Sequence, residues 1–289
     1  MKVKKNILIT AANSNIAKAF LQYLTKNNLR DQYQLFGTSR NGNDLQGFQN
    51  AYKLDFLFDE APIINITFDY IFHFAAALPA YYSNTSDFMQ INVESPLNFF
   101  STIKLNKGAL FVNISSWDVY EKPNSKIVEN SPKTTSSQYG ISKLLFEDKI
   151  TSLLTKAEMR VISIRLPCLL IPEVKGNFMA KWKSSINKHK TISITNPNAT
   201  SNAFVDGNSI FSFALGYGAG PSLSFNVASR NLISYKNIAE ILSSAHNKKL
   251  LFETSNSNGK NQTIDSSLAE KYGFIPPDLE DIVTEYSHA

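Results

Sequence analysis

Tyr139 and Lys143, in the run Tyr139-Gly-Ile-Ser-Lys143, are the residues whose types and spacing could do acid-base chemistry. Of the chain's twelve Tyr, Tyr139 is the only one with a Lys four places on. On a helix over Gln138–Ile150 that spacing puts both side chains on one face, one turn apart. A free Tyr titrates near ~10, too high for acid-base work at neutral pH. An ammonium within a few ångströms favours the phenolate, so Lys143 is expected to make Tyr139 more acidic. Ser116, in the pair Ser115-Ser116, offers a hydroxyl from another segment. Such a hydroxyl can hold a substrate oxygen while a hydride moves. The ordinary alternative is an amphipathic helix with a half-buried Tyr and a solvated Lys, so the surrounding elements must decide.

Those elements alternate. Lys5–Thr10, Gln34–Thr38, Ala51–Leu54, Tyr70–Ala75, Ala109–Ile114 and Arg160–Leu166 read as strands. Ile16–Lys26, Gln90–Leu105 and Gln138–Leu154 read as helices between them. Continuous apolar strands separated by helices predict a parallel sheet covered on both faces, the doubly wound α/β (Rossmann) pattern. Beyond Pro167 the rhythm breaks, with one helix around Phe178–Lys188, a late strand at Ser224–Val227, and a helix at Ser234–Ser244 capped by Ser234. Asp265–Glu285 holds a short helix, then Pro276-Pro277, then a final helix, and Ser255–Gly259 reads as a surface turn. The expected division is a dinucleotide-binding domain over 1–166, with a returning segment near 202–230, and a smaller C-terminal α/β substrate lobe over 167–289.

Composition narrows the class. With 43% hydrophobic residues the 289-residue chain can bury a substantial core. The single Cys168 excludes an internal disulfide and reads as buried packing; no Cys/His cluster has metal-site spacing, so no metal is expected. The apolar run after Met1-Lys-Val-Lys-Lys5 is too short for a signal peptide, and no stretch approaches a bilayer-crossing length. The expectation is a cytoplasmic protein without a membrane or nucleic-acid partner. The net charge of +5 suits an anionic ligand such as a dinucleotide, or a lysine-rich solvated surface.

In a doubly wound fold the first strand-to-helix turn receives pyrophosphate at the helix N-terminus. Here it is Thr10-Ala-Ala-Asn-Ser-Asn-Ile-Ala17, with Ala11, Ser14 and Ala17 where glycines are usual. Ala17 can still pack closely, Ser14 can cap the helix, and Ala11 is tolerable if its φ stays negative. At the end of the second strand Arg40, beside Ser39, stands where a carboxylate would bind the 2′-hydroxyl of NAD. An Arg instead accommodates a 2′-phosphate, so NADP(H) is expected over NAD(H).

Together these residues resemble an extended short-chain dehydrogenase/reductase, the NAD(P)-dependent epimerase/dehydratase group that acts on nucleotide-sugars. The resemblance runs through Ile9–Ala17, Asp55-Phe56, His73-Phe-Ala-Ala76, Ile91-Asn-Val93, Asn113–Tyr120, Tyr139–Lys143 and Arg165-Leu-Pro167. Asn177-Phe178, Ala203-Phe-Val-Asp206 and Phe225-Asn-Val227 continue it more weakly. It implies catalysis by Ser116, Tyr139 and Lys143. It implies cofactor contacts from Ala11, Asn13, Ser14, Asn15, Ile16, Arg40, Asp55, Phe56, Phe74, Ala75, Ala76 and Asn92, with Tyr139 and Lys143 at the nicotinamide ribose. Substrate contacts fall to Ser116, Trp117, Asn177 and Phe178. The loop glycines are absent, and Asn202 stands near the place of an Arg that often grips the substrate pyrophosphate.

The family's dehydratases carry Thr-Asp-Glu where this chain has Ser116-Trp117-Asp118, and its epimerase-reductases place a Cys where Trp117 stands. Both reactions are therefore disfavoured. The expected activity is NADPH-dependent reduction of a nucleotide-linked 4-keto-6-deoxy-sugar, of the kind used in polysaccharide biosynthesis. The alternatives are a 4-epimerase with bound NAD and, in another class, a non-catalytic NADP-binding sensor. A homodimer through the helices at Gln90–Leu105 and Gln138–Leu154 is a further implication of the resemblance. His73 reads as a satisfied core histidine, and Trp182 as part of a solvated amphipathic helix.

Overall fold

The protein is seen in a computed structural model that describes residues 3–42, 45–121, 126–172, 174, 176–254 and 260–288. The turn expected at Ser255–Gly259 lies outside them. The strands and helices run β1 (Lys5–Thr10), α1 (Asn15–Lys26), β2 (Tyr33–Ser39), β3 (Asn50–Lys53), β4 (Thr67–His73), α2 (Thr85–Met89), α3 (Ser95–Thr102), β5 (Lys104–Ser116), α4 (Gln138–Thr155) and β6 (Arg160–Leu166). There follow β7 (Cys168–Leu170), α5 (Phe178–Asn187), β8 (Ile192–Ile194), β9 (Thr200–Ser201), β10 (Phe204–Asp206), α6 (Gly207–Gly216), β11 (Leu223–Asn226), β12 (Ile233–Ser234), α7 (Tyr235–Ala245), β13 (Phe252–Thr254), α8 (Ser267–Lys271) and α9 (Leu279–His288).

The chain divides into two compact units. The first comprises Met1–Glu121, Pro132–Arg165 and Tyr217–Phe225; the second comprises Lys122–Ser131, Leu166–Gly216 and Asn226–Ala289. The segment that returns to the first unit is thus narrower than 202–230, and ten residues before Pro132 join the second.

In the first unit a seven-stranded sheet has the order β11-β6-β5-β4-β1-β2-β3. Its pairs β1–β2, β1–β4, β2–β3 and β4–β5 are parallel. The reversal of order beside β1 is the switch point at which such sheets take ligands. The near-continuous burial of β1 and β2 reflects helices on both faces. Helix α1 buries Ala17, Phe20 and Leu24, spaced along one stripe, and Phe20 lies 4.4 Å from Phe72 of β4.

The helix expected over Gln90–Leu105 differs in the structure. It begins earlier, at Thr85, passes through a π-helical turn at Gln90–Glu94 and ends at Thr102. Lys104 and Leu105 pair instead with Thr67 and Phe68 of β4, so strand pairing overrides the helical pattern. The π turn frees the Asn92 amide from regular spacing and turns it inward.

The second unit contains three two-stranded sheets, β10–β7, β12–β9 and β13–β8, among the described residues. Its core gathers Met179, Trp182 and Ile186 of α5, Ile238 and Leu242 of α7, and Leu279, Ile282 and Val283 of α9. Helix α5 is amphipathic as read, but Trp182 is on its buried face, edge-on to Phe178 at 5.2 Å. Asn202, where an anion-gripping Arg was sought, is a buried strut. Its Nδ2 donates to the carbonyls of Ser229 and Ile264, and its Oδ1 accepts from Ile264 N. No helix among the described residues is long and apolar enough to cross a membrane, and none of their side chains cluster as a metal site.

Candidate active site

The first turn departs from the expected backbone. Ala11 has φ +48°, the left-handed region that favours glycine, because the chain must reverse from β1 into α1. The expectation of a negative φ is corrected accordingly. Ala12 follows, buried, and its N–H reaches the Thr38 carbonyl at 2.8 Å. Space for its methyl comes from Gly37 on β2, where an added Cβ would lie 2.6 Å from the Ala12 Cβ. A glycine missing from the loop is thus matched by one on the neighbouring strand, a signal that only the strand pairing reveals.

Ser14 caps α1 as expected, accepting from Ala17 N at 3.3 Å. The first turn of this 12-residue helix carries no carboxylate. A helix N-terminus turns its first backbone N–H groups toward the preceding loop, and the helix dipole is positive here. Asn13 is exposed beside them. The turn fits an anionic pyrophosphate.

Thr10 is a contact the sequence did not disclose. Its Oγ1 accepts from Phe74 N at 3.0 Å and Ala75 N at 3.1 Å, and lies 2.9 Å from His73 Nδ1. With both lone pairs taken, the hydroxyl proton goes to Nδ1, which makes His73 a neutral acceptor. Burial, and then the charge of Lys143, hold the imidazole well below its usual range. His73 is therefore a satisfied core histidine. The Phe74 and Ala75 amides point at Thr10 rather than outward, so this loop can meet a ligand through Ala76, which is partly exposed. Asn92 is likewise committed. Its Oδ1 accepts from Ala77 N at 2.6 Å, and its Nδ2 donates to Ala77 O and to Ser142 Oγ. It shapes the loop and ties it to α4 instead of presenting a group to a cofactor.

At the ends of β2 and β3 lies a cavity of about 360 Å³, lined by Arg40, Asn41, Lys53, Asp55, Phe58 and Asp59. Lys53 Nζ pairs with Asp59 at 3.4 Å. Arg40 and Asp55 line this cavity, whereas Phe56 packs in the core 6.1 Å from the His73 ring. The aromatic ring at the cavity is Phe58, which is 80% exposed.

The catalytic candidates converge where β5 ends and α4 begins. Ser116 closes β5 and accepts from Asp118 N at 3.1 Å through its Oγ. Ser137 caps α4 by accepting from Gly140 N at 3.3 Å, which aims the first turn at that strand end. Tyr139 is half-buried, and Ser116 is near enough to pull its phenol down. Lys143 is 2% exposed, one turn on. Burial pushes the Tyr139 phenol well above its usual range, the Asp118 carboxylate pushes it further, and only the neighbouring Ser116 hydroxyl opposes them. The expectation that Lys143 acidifies the phenol is not met: desolvation sets the direction, and Lys143 is not among the groups that move Tyr139. The ammonium is itself lowered to about 8 by burial, with Glu147 pulling the other way. Trp117, in the 3-10 turn after Ser116, is partly buried.

Beneath this pair lies a network that went unread in the sequence. Glu147 accepts from Arg165 Nη2 at 2.6 Å and Nε at 3.1 Å, from Ser224 Oγ at 3.0 Å, and from Ser115 Oγ. Arg165 also donates to the Tyr120 hydroxyl at 2.6 Å. In the second unit Asn177 caps α5, accepting from Ala180 N and donating to Leu169 O, and Phe178 packs at 5.9 Å from Phe204.

A doubly wound sheet with an anion-ready first turn and a Ser-Tyr-Lys group at a strand end defines a nicotinamide-dependent enzyme of the extended short-chain dehydrogenase/reductase class. Residues 7–213 match the NAD dependent epimerase/dehydratase family, and the chain belongs to that family. A search of curated proteins found no match. Among solved structures the chain is similar to UDP-glucuronic acid 4-epimerase from Bacillus cereus in complex with NAD, at 18% identity and a TM-score of 0.81 over 98% of this chain and 96% of that one. It is also similar to UDP-N-acetylglucosamine 4-epimerase from Methanobrevibacter ruminantium M1, at 17% identity and a TM-score of 0.77 over 98% and 97%. A UDP-galactose 4-epimerase gives 15% identity and a TM-score of 0.78 over 98% and 97%. At such identities the likeness shows the fold alone.

Proposed function

We propose that the chain is a nucleotide-sugar 4-epimerase that keeps a nicotinamide dinucleotide bound through turnover. The observation that carries this reading is the Ser116, Tyr139 and Lys143 group at the end of β5, built on a sheet whose similar structures are 4-epimerases. The dinucleotide fits the α1 N-terminus and the Arg40 cavity. When bound, it supplies reversible hydride storage. The chain's residues supply proton handling. Ser116 holds the sugar C4 oxygen, and Tyr139 exchanges the proton with it. Lys143 carries the positive charge that offsets the developing phenolate. The same pair serves both directions of proton transfer, as an epimerisation requires.

A second reading, reduction of a 4-keto sugar by NADPH, is favoured by Arg40, with Lys53 at the same cavity. One experiment separates the two. The purified protein is analysed by mass spectrometry for a co-purified dinucleotide. It is then incubated with UDP-glucose, UDP-glucuronate and their N-acetylated relatives, and separately with NADPH and a nucleotide-linked 4-keto-sugar, while absorbance at 340 nm is followed. Interconversion of C4 epimers without net cofactor loss supports the epimerase. Stoichiometric NADPH consumption with a keto-sugar supports the reductase. Cofactor binding without turnover of any sugar would point to a sensor.

A further inference from the structure

The cavity where β2 and β3 end takes one cation from each strand end. Ser39 of β2 stands opposite Lys53 of β3 in the parallel register, and Arg40 follows Ser39. The turn beyond Arg40 lies hard against Lys53. Gly42 has φ +62°, and a Cβ added to it would meet the Lys53 Cβ at 2.7 Å and its Cα at 3.2 Å. Strand register and turn thus bring Arg40 and Lys53 to the same cavity. The two carboxylates there are built into the turn after β3. Asp59 Oδ2 accepts from Asp55 N at 2.7 Å, and Asp55 Oδ1 accepts from Leu57 N at 3.0 Å. Asp59 Oδ1 also faces Lys53 Nζ, at 3.4 Å. The Lys53 side chain is 66% exposed, so water screens this ion pair and holds it weak.

We propose that Lys53 is a specificity-determining residue for the dinucleotide: with Arg40 it clamps a ribose 2′-phosphate, and Asp59 sets the strength of the clamp by competing for the ammonium. The inference rests on the reading that the chain binds a nicotinamide dinucleotide, and deepens it by naming the 2′-phosphorylated form. A site for NAD sets a carboxylate at the end of β2 to accept from the 2′-hydroxyl. This strand end reads Ser39-Arg40-Asn41. The cavity's carboxylates come instead from the turn after β3, and each already accepts a backbone N–H. A phosphate monoester carries close to two negative charges near neutral pH, against one on Asp59, so Lys53 gains by turning to it. The guanidinium of Arg40 offers a planar fork and the ammonium of Lys53 a point charge with rotatable donors. The two can therefore divide the three phosphate oxygens between them.

The test reads binding rather than turnover. The full chain is titrated with NADPH and NADH by fluorescence, and with adenosine 2′,5′-bisphosphate and 5′-AMP by calorimetry. The wild type should bind the bisphosphate about tenfold or more tighter than 5′-AMP. Lys53→Met keeps the Cβ on which Gly42 rests. It should weaken NADPH and the bisphosphate by about tenfold and leave NADH and 5′-AMP within about twofold. Asp59→Asn keeps an oxygen for Asp55 N and removes the competing charge. It should tighten NADPH by about threefold with NADH unchanged, and Lys53→Met in the same chain should abolish the gain. A purely structural part for Lys53 would move all four ligands alike, and that result overturns the proposal. So do wild-type ratios in both variants, or a wild type that binds the bisphosphate no better than 5′-AMP. Ratios that shift as stated stand even if no sugar is epimerised. Epimerisation with unshifted ratios sinks this proposal alone.

Discussion

Gly140 of α4 stands against the main chain of Asp118 so closely that a Cβ would lie 2.1 Å from the Asp118 carbonyl oxygen. Such a distance cannot be relieved by turning a side chain. It explains how Tyr139, next to Gly140, comes to lie beside Ser116, two residues before Asp118. Gly140→Ala should push the α4 N-terminus from the strand end. The expected outcome is a loss of about 1–3 kcal/mol in stability, as for an overpacked contact, and a drop in kcat of about 100-fold from a misplacement near 1 Å. Thermal unfolding and turnover read the two effects. Wild-type values for both would mean that the approach is not a close one.

Tyr139→Phe removes the hydroxyl and keeps the ring, which packs 6.1 Å from Phe88. Turnover should fall by about 10²–10⁴. Dinucleotide affinity, measured by fluorescence titration, should stay within about threefold of wild type, since the α1 turn and the Arg40 cavity are untouched. Retained turnover would remove Tyr139 from the chemistry.

The ammonium of Lys143 titrates near 8 in the fold, against 10.5 for an ordinary Lys. Between those values the unfolded chain binds more protons, so this group makes stability rise as pH rises through the window. Below pH 8 its burial is a standing cost. Lys143→Met should therefore be more stable than wild type at pH 7, on the order of 2 kcal/mol. The advantage should shrink toward pH 10 while activity is lost at every pH. Denaturant melts at pH 7 and pH 9.5 test the sign, and a variant less stable at pH 7 contradicts it.

Arg40 lines the cavity at the end of β2 and has no carboxylate beside it on that strand. Arg40→Ser should weaken NADPH binding by about tenfold or more and leave NADH within about twofold, because only the former carries a 2′-phosphate. Equal effects on the two would reduce Arg40 to a surface residue and favour NAD as the resident dinucleotide.

Ala11 holds φ +48° without the freedom of glycine. Ala11→Gly should relieve about 1 kcal/mol of strain, part of which the more flexible unfolded chain offsets. A rise in Tm of about 1–3 °C is expected, with cofactor affinity unchanged. A fall in Tm would show that the turn is not strained.

Periodicity alone carried the doubly wound sheet, the capped helix after β1 and the spacing of Tyr139 and Lys143, because local patterns report which face of an element is buried. It also carried Ser234 as the cap of α7, where Ser234 Oγ accepts from Asn237 N at 3.1 Å. Contacts between distant segments stayed hidden. Gly37 making room for Ala12, Thr10 gathering the amides after β4, and Glu147 joining Ser115 to Arg165 pair residues that no local pattern links. The direction of the Tyr139 shift belongs with them, since a pKa follows from how much water is excluded and which charges remain nearby, and folding sets both.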